Sequence, residues 1–227
     1  MYAIPWPLIL PVLAVVLSFA WLYAFKQRNP GNYALLLAFS GAFLLAVTLF
    51  ELLPEAYASG SPRTVGLFVG VGILLQIVLE TFSQGAEHGH VHGHGRNGPF
   101  PWLLFGSLCL HALSEGLPLM HAKGFLWGIV VHKIPVTLII GGFLLRKGWP
   151  RTHTWGFIGC FALMTPLGAL LGAHPLVASA YAYLLPLVIG IVLHVSTIIL
   201  FESSEGHAFN WRKLGVIILG MALGYLI

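Results

Sequence analysis

Charged residues are scarce in this 227-residue chain: Asp, Glu, Lys and Arg together make up 8% of it, and aspartate is absent altogether. Ordinary soluble domains are about 25% charged. Hydrophobic residues make up 58%, and the mean hydropathy is +0.89; a folded chain of this size in water could not cover so much apolar surface. The composition excludes a cytosolic enzyme, a secreted disulfide scaffold and a disordered regulator. It predicts a polytopic membrane protein surrounded by lipid.

Three further features limit the interpretation. Basic runs with interleaved aromatic residues are absent, so we read the net charge of +4 as loop charge and expect no nucleic-acid partner. The only two cysteines, Cys109 and Cys160, lie in apolar stretches, where a thiol is ordinarily a small packing residue. The N-terminal apolar stretch has no preceding positive charge and no signal-peptide cleavage motif, so we interpret it as a first transmembrane helix.

Apolar stretches long enough for a membrane-spanning helix, which needs about 20 residues, recur along the chain. Eight are predicted, at 7–25, 33–53, 64–82, 102–121, 124–145, 154–173, 176–200 and 212–227. The connections between them are short, apart from a polar stretch at 83–101. The sequence therefore predicts an all-α bundle of about eight transmembrane helices that forms a single domain over 1–227.

The basic residues of the connections predict an orientation. Arg63 and Lys123 lie on one side of the predicted bundle. Eight lie on the other, in the odd-numbered connections: Lys26, Arg28, Arg96, Arg146, Lys147, Arg151, Arg212 and Lys213. The positive-inside rule places the odd connections in the cytoplasm and both termini outside. The compact loops and the lack of targeting signals lead us to expect a bacterial inner membrane.

Glycines four residues apart occur in three predicted helices, at Gly66/Gly70, Gly168/Gly172 and Gly220/Gly224. This spacing allows two helix backbones to approach closely. The contacts could lie within one chain or form a homodimer, although glycine is also simply common in membrane helices.

Ionisable side chains within predicted spans are the strongest functional signals, because they are costly in lipid. His111 and Glu115, four residues apart in the fourth segment, share one helix face. An imidazole beside a carboxylate suits Zn²⁺ or another borderline divalent cation, although a buried hydrogen-bonded pair is the alternative. The fifth segment adds His132 and Lys133 just before Pro135, which favours a broken helix that lines a cavity. Since the fourth and fifth segments are antiparallel neighbours, the sequence predicts a metal site of His111, Glu115 and His132.

Other polar residues give weaker predictions. Glu51 could complete the metal site or form its mouth, and Glu55 on the same face could line the pathway or be a solvated end residue. His194 in the seventh segment could be a further ligand or a hydrogen-bonded core histidine. The predicted cytoplasmic loop over about 83–101 alternates histidine with small residues; such a loop can chelate divalent metals. Its histidines are His88, His90, His92 and His94.

These motifs together resemble the ZIP (Zrt-, Irt-like) family of divalent metal transporters over the whole chain. The most specific are His-Ala-Leu-Ser-Glu-Gly at 111–116 and His-Lys-Ile-Pro at 132–135; Leu-Leu-Pro-Glu-Ala at 52–56 and Thr-Pro-Leu-Gly at 165–168 add to them. The resemblance implies a transport site between the second, fourth and fifth helices. It also implies transport into the cytoplasm, with Zn²⁺ as the main cargo and Fe²⁺, Mn²⁺ or Cd²⁺ as the cargo of relatives. No organic cofactor is expected.

The chain departs from the commoner family pattern at positions linked to a second metal. Ala112 replaces an asparagine, Val136 replaces a carboxylate, Thr165 stands where some relatives have glutamate, and Lys133 stands where a second-site ligand would be. The resemblance is thus to the branch with a single metal site, and it implies that the Lys133 ammonium supplies the charge that a second cation supplies elsewhere.

Three rival functions remain at this point. An intramembrane zinc-dependent hydrolase would need an acidic base besides the ligands, and the chain has no aspartate to provide one. A haem electron carrier would use membrane histidines as axial ligands and would leave the loop histidines unexplained. A sensor or storage protein of the same fold would bind metal without moving it. We expect a transporter and not an enzyme.

Overall fold

The computed structural model describes residues 6–25, 33–83, 101–147, 149–202 and 211–227, and all regular secondary structure in these ranges is helical. One π-helical turn, Thr48–Leu52, joins the second helix to the third. The α-helices are α1 (Trp6–Phe25), α2 (Ala34–Val47), α3 (Leu53–Ser59), α4 (Pro62–Ser83), α5 (Trp102–Gly116), α6 (Phe125–Lys147), α7 (Arg151–Ala173), α8 (Pro175–Ala178), α9 (Tyr181–Glu202) and α10 (Trp211–Tyr225).

Within the described ranges, six helical segments are long and apolar enough to cross a membrane. They are Trp6–Phe25, Ala34–Ser59, Pro62–Phe82, Phe125–Lys147, Arg151–Ala173 and Tyr181–Phe201. The fourth and eighth predicted spans form the helices α5 and α10, each of 15 residues. A helix of that length extends about 22 Å, less than the ~30 Å of hydrocarbon in a bilayer. The all-helical, membrane-type architecture is confirmed, whereas eight passes and exported termini stay predictions.

Prolines have different effects on two helical segments near the candidate site. Pro54 has no N–H and crowds the preceding turn, where the Leu53 N–H bonds to the Thr48 carbonyl in π-helical spacing. Glu51 lies within this widened turn. By contrast, α6 continues through Pro135 without interruption, so it is not the broken helix that the sequence favoured.

The helices pack as two groups. The site bundle consists of α1, α5, α6 and α7, in which α1 contacts α6 and α7, and α5 contacts α7. The second bundle consists of α2, α4, α9 and α10, in which α2 contacts α9 and α10, and α4 contacts α9. Contacts between α2 and α6 and between α4 and α5 join the two bundles. The candidate site lies near this junction, because α5 and α6 carry its main residues.

Glycines allow close contacts between helices within these bundles. A Cβ at Gly168 would lie 2.0 Å from the Leu113 carbonyl oxygen, and one at Gly172 would lie 1.9 Å from that of Leu117, so α7 meets α5 backbone to backbone. Two of the predicted glycine pairs are therefore contacts within the chain, since Gly220 and Gly224 likewise meet α2. In the third pair, Gly66/Gly70, a Cβ at either position would meet no neighbouring helix within 4 Å among the described residues.

Candidate metal centre

Three side chains predicted as metal ligands converge between α5 and α6. His111 and Glu115 lie one turn apart on α5, and His132 reaches them from α6. We call these three residues the His–Glu–His trio. All three are buried, and the Glu115 carboxylate is wholly inaccessible to solvent. The predicted convergence of these residues is therefore observed.

The spacing of the trio suits one small divalent cation. One ligand atom from each side chain can be chosen so that all three lie within 4.8 Å of one another. Glu115 Oε1 lies 2.9 Å from His111 Nε2 and 4.0 Å from His132 Nε2. In a tetrahedral zinc site with ligand distances near 2.0–2.1 Å, neighbouring ligand atoms are about 3.3 Å apart. Small side-chain rotations would bring the three atoms to that spacing, with a fourth coordination position left for water or another ligand.

Lys133 forms an ion pair with the Glu115 carboxylate of the trio. Its ammonium Nζ donates to Glu115 Oε2 at 2.8 Å and lies 4.6 Å from the centre of the Phe161 ring. Both charged groups are almost completely buried, so each is the other's main charge compensation. A cation at the trio must therefore share the Glu115 carboxylate with a resident positive charge.

Gln76, which the sequence analysis did not single out, contacts the trio from the second bundle. This wholly buried residue of α4 places its side-chain Oε1 3.2 Å from His111 Nδ1. With the proton on Nδ1, the imidazole donates to Gln76 Oε1, and the lone pair of Nε2 is available to bind a metal ion. Partners of this kind fix the orientation and tautomer of metal-binding histidines. Gln76 could have been identified from the sequence as a polar amide side chain within an otherwise apolar predicted span.

We expect Gln76→Leu to lower the Zn²⁺ affinity of the trio about 10- to 100-fold, the usual effect of removing such a partner. The substitution keeps most of the side-chain volume and removes the acceptor for His111 Nδ1. Titration calorimetry of the purified protein in detergent measures the change. Gln76→Glu is the matched control, because it keeps the acceptor oxygen and should retain most of the affinity. Equal affinities of Gln76→Leu and the wild type would show that Gln76 does not position His111.

The two glutamates of the second predicted span make contacts of their own. Glu51 Oε1 accepts a hydrogen bond from the Gly124 N–H at 2.9 Å, just before α6 begins. Its other oxygen, Oε2, is buried and has no hydrogen-bond partner among the described residues. Glu55 accepts a hydrogen bond from the Tyr181 hydroxyl at 2.9 Å. Neither carboxylate belongs to the cluster formed by the trio, so ligation by Glu51 stays a prediction.

His194 is paired with a residue that the sequence analysis did not consider. Its Nε2 lies 2.6 Å from Glu80 Oε2, which joins α9 to α4. Glu80 could have been noticed as a carboxylate in the third predicted span. The alternative interpretation of His194 as a hydrogen-bonded core histidine matches this contact. The loop histidines, His88, His90, His92 and His94, lie outside the described residues.

No protein-family model matches this chain, and no curated protein is significantly similar to it.

Proposed function

We propose that this protein is a divalent-cation transporter that moves mainly Zn²⁺ into the cytoplasm through the His–Glu–His trio. The observation that supports this most directly is a buried, metal-competent group of ligands inside a bundle of membrane-type helices. Buried ionisable groups in such helices ordinarily mark ion pathways. The motif resemblance to ZIP transporters supports the same function and an orientation with the termini outside.

The charges around the trio favour a passing ion over a permanently bound one. Without metal, the carboxylate of Glu115 and the ammonium of Lys133 compensate each other. A bound Zn²⁺ would meet two neutral imidazoles and one carboxylate already shared with Lys133. A transport site must bind its ion and also release it, and one shared carboxylate with an open fourth position meets both needs. Fe²⁺, Mn²⁺ and Cd²⁺ accept the same ligand types and are alternative cargo.

Two hydrogen bonds support a proposal for how access to the trio changes. The contact between Gln76 and His111 joins α4 to α5, and the contact between Glu51 and Gly124 joins the π-helical turn to the start of α6. Both link the site bundle to elements outside it. In alternating access, one bundle moves against another around a site near the middle of the membrane. We propose that this movement breaks both hydrogen bonds and opens the trio to one side.

Uptake of radioactive zinc into proteoliposomes tests the proposal. We expect saturable uptake by the wild type and its loss in the double variant His111→Ala/Glu115→Ala, because two of the three ligands are gone. His153→Ala is the matched control: this histidine of α7 is exposed and belongs to no cluster of ligands among the described residues, so uptake should be unchanged.

Other outcomes identify the rival functions. Tight zinc binding without uptake would overturn transport and indicate a sensor or storage protein. Lipid hydrolysis that is lost in Glu115→Ala would indicate an intramembrane zinc-dependent hydrolase.

A further inference from the structure

The two cysteines form a pair across α5 and α7. Both are free thiols of intermediate exposure, and their side chains are close neighbours. Neither residue belongs to the trio or contributes to the proposed transport. A pair of adjacent thiols offers chemistry that a single packing cysteine does not, because the two sulfurs can form a disulfide with each other.

The packing of α5 against α7 places these residues at the same level of the two helices. On one side of the pair, the rings of Phe105 and Phe157 are in edge contact, with centroids 4.9 Å apart. On the other side, the Thr165 hydroxyl donates to the Ala112 carbonyl at 3.0 Å. The first contact pairs residue 105 of α5 with residue 157 of α7, and the second pairs 112 with 165. Because the numbers increase in the same direction along both helices, the helices run parallel. Cys109 and Cys160 lie between these two contacts, one turn from the aromatic pair and about one turn from the hydrogen bond.

We propose that Cys109 and Cys160 are a redox modification site, at which peroxide closes an intramolecular disulfide between α5 and α7. One cysteine first loses its proton, and its thiolate sulfur attacks a peroxide oxygen; the O–O bond breaks, the departing hydroxide takes up that proton to become water, and the cysteine becomes a sulfenic acid. The second thiol sulfur then attacks the sulfenic sulfur, forms the S–S bond and releases a second water. Two thiols and one hydrogen peroxide thus give one disulfide and two waters, with both sulfurs oxidised and the peroxide reduced.

The position of the pair makes the disulfide compatible with the metal centre. Cys109 lies two residues before His111, and two residues correspond to a rotation of about 200° around a helix. The thiol is therefore directed to α7 while the imidazole is directed to α4 and α6. The disulfide would join the two ends of a chain segment that contains α6. It would link α5 covalently to α7 without using any ligand of the trio.

Thiol counting and peptide mapping test the site directly. The purified protein is treated with hydrogen peroxide in detergent, denatured, and its thiols are alkylated. We expect accessible thiols to fall from two to none, and the mass of the intact chain to fall by two hydrogens. Trypsin cleavage after Lys123 and Arg151 places the cysteines in separate peptides, which should stay joined until a reductant is added.

Single variants provide the control. Cys109→Ser and Cys160→Ser each leave one thiol, which cannot form the internal bond and should oxidise to sulfenic acid or link two chains. The proposal is overturned if both wild-type thiols survive peroxide. It is equally overturned if they are lost with a gain of oxygen mass, or if the wild type links two chains as the single variants do. None of these readouts depends on metal binding or transport.

Discussion

Glu115→Ala is expected to lower the free energy of unfolding by about 3–5 kcal/mol, the usual cost of removing one partner of a buried ion pair. The physical reason is the Lys133 ammonium, which is 2% exposed and loses the carboxylate that lies 2.8 Å away. The same substitution removes the only acidic member of the trio, so zinc binding should also be lost. Thermal unfolding in detergent measures the first effect, and titration calorimetry measures the second.

A double variant separates the two roles of Glu115. Glu115→Ala/Lys133→Met removes both buried charges, and such replacements are often neutral or stabilising. We expect the melting temperature to recover while zinc binding stays absent. Glu55→Ala is the control carboxylate, because Glu55 bonds to Tyr181 and is outside the trio. Wild-type zinc affinity in the double variant would contradict ligation by Glu115, and wild-type melting of Glu115→Ala would contradict the ion-pair argument.

The sequence was sufficient to predict the trio because helical spacing is local information. His111 and Glu115 share a face at a separation of four residues whatever the surrounding fold is. His132 followed from the short connection between two antiparallel helices. The partners of the trio were not predictable in this way. Gln76 lies 35 residues before His111 and reaches it only through packing of α4 on α5. Likewise, the sequence shows that Lys133 carries a charge, but the ion pair with Glu115 could not be predicted from it.

Helix lengths show a second limit of sequence reasoning. Hydropathy extends the fourth predicted span to residue 121, but α5 ends at Gly116. The following chain forms turns in which Pro118 cannot donate a backbone hydrogen bond. Mean hydropathy responds weakly to such helix breakers. Mean hydropathy also does not report which glycines make helix contacts. Gly168 lies against a neighbouring backbone and Gly66 does not, although each belongs to a pair of glycines four residues apart.

Replacing Lys133 with aspartate is expected to tighten zinc binding or to raise its stoichiometry from one ion to two. The substitution exchanges a positive charge for a negative one beside Glu115, and it frees the Glu115 oxygen that Lys133 now occupies. Even with an effective dielectric constant of 20, one unit charge about 4 Å from another contributes about 4 kcal/mol. An affinity gain of at least about tenfold, which corresponds to ~1.4 kcal/mol, is therefore a conservative expectation. Titration calorimetry gives both the affinity and the number of ions bound.

Lys133→Met distinguishes removal of the ammonium from addition of a ligand. In this variant a metal ion becomes the main counter-charge for Glu115, so affinity should rise while the stoichiometry stays at one. In Lys133→Asp, two buried carboxylates repel each other without metal, and the melting temperature should become strongly dependent on zinc concentration. If both variants bind zinc with wild-type affinity and stoichiometry, Lys133 does not stand in for a second cation. Its role would then be limited to the ion pair with Glu115, because the ammonium would exert no measurable effect on the ion held by the trio.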